Sequence, residues 1–409
     1  MPDSAQDSHE AEGALSALAL PQFRLFLAVT VFTQLAGWME EVARGWLVYE
    51  LTRSPLQLSA LAFVSGASSF ISAPVAGFMA DRIDRRWATI LAEAMSCVGA
   101  LAVGLLVVAG QVELWQLYSL TVLMGMSRGF SFTSRQALLY DVVGPEHLAS
   151  AVGLNSVAAN VARIMAPLAG GTVIGALGTA AAFFGQSLLL LLAIPVTPLL
   201  RLRVLAKPVR LPFWRSIMDG LRYIQSDPTL LRLYLFIYIP NVLIYPYVSL
   251  IPVFADEVLG IGAQGYGFLL TGVGFGSIPG GLLVASMGRS RRKGLVMGLA
   301  AILYMGMVST FAQSRWLPLS FAALVVGGVG WSMMVALNQA LVQLRLADAY
   351  RGRGLALYTV GSGLTPLGNL AMGSLAHAIG VQTAVTAFAL VGMVLAALTG
   401  LASAEVRRL

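Results

Sequence analysis

The chain has 409 residues, 57% of them hydrophobic and 11% charged, with a mean hydropathy of +0.79. A water-soluble domain carries roughly a quarter charged residues, so a soluble globular protein is excluded. The net charge is +7, yet only Lys207 and Lys293 are lysines and neither precedes Ser or Thr, so no Walker A phosphate loop exists and no nucleotide is expected as a partner. One cysteine, Cys97, and three scattered histidines, His9, His147 and His377, leave neither a disulfide framework nor a compact metal cluster, so no cofactor or metal is expected. The stretch from Met1 to Glu12 holds four acids and no base precedes Arg24, the reverse of a secretory signal, so no cleaved leader is expected.

Crossing a hydrocarbon layer of roughly 30 Å takes about 20 apolar residues in a helix. Reading for such stretches between charged or Gly/Pro breaks predicts twelve, near 24–49, 56–80, 88–109, 114–139, 149–176, 179–200, 230–254, 264–287, 294–313, 318–344, 354–378 and 381–402. The only long connection, 201–229, carries six bases and divides the chain into an N-terminal bundle (1–200), a basic linker (201–229) and a C-terminal bundle (230–409). The expected fold class is therefore an all-α polytopic membrane protein of two six-helix bundles. Within the linker, Trp214, Ile217, Leu221 and Ile224 would share one face of a short helix on the inner leaflet, or of a plain solvated helix.

Orientation follows from the bases, because cytoplasmic loops retain Lys and Arg. With the N-terminus inside, 21 bases, Arg135 among them, fall on the cytoplasmic side and 2 outside. Both termini are expected in the cytoplasm, the protein in the cell (inner or plasma) membrane with the lipid bilayer as its surroundings. The positive charge is then a topology signal, and no nucleic acid is expected as a partner. A weak internal repeat agrees: RQALL at 135–139 is echoed by NQALV at 338–342, and Gly77 by Gly281.

The loop after the second span reads GFMADRIDRR from Gly77 to Arg86, with Asp81, Arg82, Arg85 and Arg86. It resembles the major facilitator superfamily signature G-x-x-x-D-R-x-G-R-R/K, with Asp84 where glycine is usual. The resemblance implies a cytoplasmic gate in which Asp81 faces the N-terminus of span eleven and Arg82, Arg85 or Arg86 pairs with Asp141. Span five holds a degenerate form of the antiporter signature, Gly153, Ala162, Ala166, Pro167, Gly170 and Gly171, with two glycines replaced by alanine. The runs around Trp38 to Pro55, Arg135 to Arg163 and Arg351 to Arg353 look like the enterobactin-exporter branch, whose members export siderophores, drugs and other small molecules. This resemblance implies a small-molecule substrate bound near the bilayer midplane and alternating access, with export as the direction.

Charges inside spans are functional candidates because each is expensive there. Gln34, Trp38, Glu41 and Gly45 fall within about 60° of one another at 100° per residue, and Glu40 lies nearer Arg44. Glu41 is read as the cavity-facing carboxylate that takes a proton, and Glu40 with Arg44 as a structural pair. The alternative is that Arg44 and its neighbours neutralise both glutamates. Arg128 and Arg163 should lie near mid-membrane, Arg128 as the better candidate for touching substrate, and Glu93 near enough the inner face to be hydrated or paired. In the C-terminal half Tyr234, Tyr238, Asn241 and Tyr245 have helical spacing, and Trp331 and Asn338 form a second stripe. These suit an aromatic or amphiphilic solute, or else phenols bonding between packed helices. The glycines of span eight lack the strand a nucleotide turn needs and point to close helix packing.

The function read from these features is a secondary transporter, with proton-coupled efflux of a small amphiphilic or aromatic solute. A facilitator or lysolipid flippase without a proton, and a non-transporting receptor, stay open. No spaced catalytic set supports an enzyme.

Overall fold

The structure is a computed structural model and describes residues 16–80, 83–202, 213–288, 292–347, 350, 353, 354, 357, 358, 361, 363–401 and 405. Six helices fill the first half: α1 (Pro21–Thr52), α2 (Pro55–Ala80), α3 (Arg85–Val108), α4 (Leu114–Val143), α5 (Leu148–Leu177) and α6 (Thr179–Ala193). A linker helix (Phe213–Ser226) precedes α7 (Pro228–Leu243), α8 (Gly262–Ser286), α9 (Lys293–Gln313), α10 (Leu317–Arg345), α11 (Thr365–Ile379) and α12 (Val381–Ala396). Among the described residues there is no strand, as a bilayer requires of a chain that is not a closed barrel.

Ten helices among the described residues are long and apolar enough to cross a membrane, against the twelve expected. The helix α4 is long enough at 30 residues but carries Arg128 and Arg135 within an otherwise apolar stretch. The expected eleventh span, 354–378, lies partly outside the described residues, which are helical over Thr365–Ile379. Arg135, read from sequence as a loop base, sits inside α4 instead.

Local chemistry sets the helix ends. Asp84 caps α3 by accepting from the Arg86 amide, and Asp227 caps α7 by accepting from the Thr229 and Leu230 amides with Pro228 in the first turn. Two glycines make matching corners. Gly178 between α5 and α6 has φ +86°, and Gly380 between α11 and α12 has φ +88°, a conformation that a Cβ would strain. Their offset of 202 agrees with the internal repeat of 203 to 204 and adds geometry to it.

Contacts group the residues into two units, Met1–Arg44 with Ala67–Val209 and Gly45–Gly66 with Arg210–Leu409. In the first, α3 packs on α4 and α6, and Phe23, Phe26, Leu138, Leu139, Val142 and Leu200 form a core at the end that bears the α2–α3 loop. In the second, α10 packs on α8 and α9. A Cβ at Gly276 would run into the backbone of Val325 and Val329, and one at Gly330 into that of Ala300 and Tyr304, so these glycines let α10 close on its neighbours. Leu105, Val108, Leu177, Leu282 and Leu398 are among the large apolar side chains left on the outer surface, where lipid is the natural solvent.

The linker forms the expected short helix, and of its four apolar residues two have described side chains. Ile224 is buried while Leu221 is exposed, and the Tyr223 ring stacks on Tyr350 with centroids 4.2 Å apart. Trp214 and Ile217 lie outside the described side chains.

Candidate functional site

Within the first unit, α1 turns three ionisable side chains toward α4 and α6. Arg44 donates from Nη1 to Glu40 Oε1 at 2.9 Å and from Nη2 to Glu41 Oε2 at 2.8 Å, the i,i+4 and i,i+3 pairs that helical geometry makes adjacent. From α4, Arg128 donates to Glu41 Oε2 at 3.2 Å and to Glu40 Oε1 at 3.2 Å. Gln186 of α6 adds a third donor to Glu40, Nε2 to Oε2 at 3.3 Å. Two carboxylates and two guanidiniums thus balance.

Exposure divides this quartet. The Glu40 and Arg44 side chains are each 4% exposed, whereas Glu41 and Arg128 are 30% and 42% exposed. Exposure separates Glu40 with Arg44 from Glu41 with Arg128 along the helical offset, but Arg44 and Arg128 each reach both glutamates, the neutralised arrangement that the sequence left as the alternative. Arg128 is held at its level by its neighbour Gly129, where a Cβ would strike Ser72 and the Ser69 carbonyl of α2. Chemically, Glu41 can trade its arginine partners for a proton or a cationic group, and Arg128 can trade Glu41 for an anionic one.

Further along α1, the Arg163 guanidinium of α5 lies 5.7 Å from the Trp38 ring centre, within cation–π range. Gln34 is half-buried on the same stripe. Toward the start of α1, Arg24, Leu27, Ala28, Val31 and Phe32 line a shallow, largely open cavity of about 360 Å³. Of the antiporter-like residues in α5, Ala162, Ala166, Pro167, Gly170 and Gly171 are buried. A Cβ on Gly170 would meet Val42 and Met39 of α1 at ordinary contact distance, whereas Gly153 faces open space. The antiporter-like spacing is therefore used at its C-terminal end, where α5 meets α1 beside Glu41.

At the end that bears the α2–α3 loop, Arg85, one of the three arginines offered by the sequence, donates from Nη1 to Asp141 Oδ2 at 2.6 Å. Arg86 pairs with Asp84 at 2.5 Å and donates to the Leu200 carbonyl at 3.1 Å. The Arg86 guanidinium holds the Asp84 carboxyl below the usual carboxylate range. Asp81 and Arg82 lie outside the described residues, and Gly77 falls in the last turns of α2.

The expected tyrosine face of the seventh span is interrupted. Helix α7 ends at Leu243, and Tyr245 opens a 3₁₀ turn that runs to Leu250 with Pro246 inside it. Pro240 and Pro246 each withhold an amide, so one straight stripe cannot continue. Tyr234 donates to the Gly354 carbonyl and Tyr238 to the Leu357 carbonyl, each at 2.7 Å. Asn241 donates to the Ile237 carbonyl within its own helix. Tyr245 leans on Trp331 at 5.6 Å, and Trp331 on Tyr304 at 5.2 Å. Asn338 is 0% exposed and donates to the Leu233 carbonyl at 2.9 Å. These polar tips are spent on packing, and the rings of Tyr245 and Trp331, both half-buried, lean on the buried Tyr304. Glu93, expected to be hydrated or paired, is instead 2% exposed, and neither of its oxygens has a hydrogen-bond partner.

Comparison with known proteins decides the family. The profile described as "Transmembrane secretion effector" matches residues 12–407, nearly the whole chain. The chain belongs to that family of the major facilitator superfamily. It is 24% identical over 347 residues to the enterobactin exporter EntS of Shigella flexneri, covering 83% of this chain and 81% of that one. It is 28% identical over 216 residues to YfiS of Bacillus subtilis, an MFS-type transporter, covering 50% and 49%. Among solved structures, a POT family transporter superposes with a TM-score of 0.77 at 10% identity, covering 95% of this chain and 99% of that one. The nucleoside transporter NupG superposes with a TM-score of 0.73 at 13% identity, covering 92% and 98%. These two likenesses establish the major facilitator fold.

For a member of the secretion-effector family, several residues escape a reading of the sequence by charge alone. Gln186 carries no charge and sits in an apolar run, so nothing flagged it as a partner of Glu40. Arg24 counts only as a topology base until the cavity is seen, although Leu27, Val31, Gln34 and Trp38 continue its stripe at helical spacing. Tyr49, at the far end of α1, donates to Asp256 at 2.9 Å and to Glu257 at 3.1 Å, and Arg53 pairs with Asp256. Their separation of some 200 residues hides them from any local pattern.

Proposed function

We propose that this membrane transporter is a proton-coupled exporter of a small amphiphilic or aromatic organic solute, working by alternating access. The observation that carries the reading is the divided quartet: Glu41 is reachable and can exchange arginine for a proton, while Glu40 stays fixed on Arg44. Protonating Glu41 frees Arg128 from one of its carboxylates, and an anionic group of the solute then has a guanidinium to bind. In the same unit Trp38, with Arg163 over its ring, supplies a surface for stacking. Similarity to an enterobactin exporter supports export as the direction and an aromatic, siderophore-like solute as the class.

In this reading the chain lies in the inner or plasma membrane with both termini in the cytoplasm, and Gly77, Asp81, Arg82, Arg85, Arg86 and Asp141 form the cytoplasmic gate. The potential supplies about 2.3 kcal/mol per charge per 100 mV. The deciding experiment measures proton release from purified protein on addition of a catecholate or an aromatic amphiphile. Release that disappears in Glu41→Gln supports antiport. Binding without release in the unaltered protein overturns it in favour of a facilitator, a flippase or a receptor.

A further inference from the structure

Helix α4 carries two arginines seven residues apart, hence two turns and about 10.5 Å along one face. The first, Arg128, meets the acids of α1. The second, Arg135, is committed differently: it donates to the Thr33 hydroxyl of α1, and Glu93 of α3 lies within its Coulombic reach. Both carboxyl oxygens of Glu93 are buried without a hydrogen bond. The position is rigid, because Ser127 of α4 donates to the carbonyl of Ala92 at 2.5 Å and pins that turn of α3.

No charged group among the described residues donates a hydrogen bond to Glu93. The Thr197 hydroxyl, beyond α6, is a neutral group close enough to reach it, and it also turns to the Ala193 carbonyl at 3.3 Å. On α3 itself Arg86, two turns earlier, pairs with Asp84, and Cys97, one turn later, donates to the Ser187 carbonyl. Arg135 is the charged group that α4 turns toward it. A carboxylate buried with no donor is among the least tolerable groups in a protein, whereas a neutral acid without partners forfeits only ordinary hydrogen bonds. The surroundings therefore fit the acid form.

We propose that Glu93 is a second proton-binding site, which holds a proton in the arrangement described here and gives it up to the cytoplasm when Arg135 turns from Thr33 to pair with the carboxylate. The inference rests on the proton-coupled reading above and adds an inner station to it. Glu41 takes the proton near mid-membrane, and Glu93 delivers it toward the end of the bundle that bears the basic α2–α3 loop. Only a proton moves: O–H of the acid breaks, the carboxylate remains, and the guanidinium already present balances its charge.

The test uses the full chain in phosphatidylcholine nanodiscs at neutral pH, read by infrared spectroscopy. A carboxylic C=O band is expected in the unaltered protein, lost in Glu93→Gln and kept in Glu41→Gln. A band unchanged in Glu93→Gln overturns the proposal. Because glutamine copies the neutral acid in shape, folding should survive; if it does not, Arg135→Gln gives the same answer with Glu93 intact. There the band should persist to higher pH than in the unaltered protein, and an identical titration overturns the proposal. In proteoliposomes Glu93→Gln should keep solute counterflow and lose proton-driven accumulation. Normal coupling in Glu93→Gln with coupling lost in Glu41→Gln would sink the inner station and spare the antiport reading. Normal coupling in both would sink the antiport reading as well.

Discussion

The two halves use their buried polar groups in opposite ways. In the first unit, Glu40, Glu41, Arg44 and Arg128 bond to one another, and part of that network is exposed. In the second, Tyr234, Tyr238 and Asn338 bond to backbone carbonyls and are closed off by packing. A side-chain network can change partners, whereas a side chain bonded to backbone has nowhere to go without moving a helix. Between the helices of the first unit the bonds can exchange, whereas in the second the side-chain network of Tyr49, Arg53, Asp256 and Glu257 lies at the helix ends.

That contrast can be broken most forcefully at the buried pair of Glu40 and Arg44. Glu40→Gln takes from Arg44 its fully buried carboxylate and leaves it the part-exposed Glu41; breaking a buried pair costs about 3 to 5 kcal/mol, so folded yield and Tm in detergent should fall sharply. Glu41→Gln, at a part-exposed side chain, should keep fold and solute binding while accumulation against a gradient disappears. If Glu40→Gln transports normally and Glu41→Gln fails to fold, the assignment of faces on α1 is reversed.

Next in size is the opposite half. Tyr238→Phe leaves the Leu357 carbonyl without its donor, a loss of about 1 to 3 kcal/mol. Its Tm should drop with no change in the pH dependence of transport. A Tyr238→Phe protein of unchanged stability but altered pH profile would show that the phenols belong to the exchanging chemistry after all.

Much of this division was legible in the residues. Twelve apolar runs and a basic linker announce the fold because the bilayer demands internal hydrogen bonding and a set length. The separation of Glu40 from Glu41 follows from 100° per residue alone. The tyrosine stripe failed because Pro240 and Pro246 break the period that placed Tyr245 on it, and that signal was present in the sequence. Glu93 failed for a different reason: distance from the inner face was read as a guide to hydration, but burial depends on how tightly α3 meets α4. Gln186 had no signal at all, since an amide becomes a ligand only when folding brings a carboxylate to it.

Smallest and most local is the cap of α3. Asp84→Ala removes the acceptor for the Arg86 amide and should cost about 0.5 to 2 kcal/mol, measured as a modest fall in Tm. Arg86 lowers the Asp84 carboxyl relative to the unfolded chain, so this stabilisation is present above the unfolded value near 3.9 and is lost as pH falls through the lower folded one. At Asp227 burial pushes the carboxyl up, but Arg345 with the Leu230 and Thr229 amides outweighs it, and the same sign applies. The difference between Asp84→Ala and the unaltered protein should therefore shrink only in strong acid. A difference that shrinks near neutrality would assign the effect to another group.

Cys97 makes the molecule unusually open to chemical mapping. Its thiol is 4% exposed and faces the Ser187 carbonyl across the α3–α6 contact, out of reach of a water-soluble reagent. A maleimide added to intact cells would therefore find only the cysteines an experimenter introduces. Placed at the exposed Gln111, Gln264 and Arg315 on one hand and at Asp84, Val209 and Ser290 on the other, they would report which ends of the helices meet the outside, without first stripping the protein of a native reactive group.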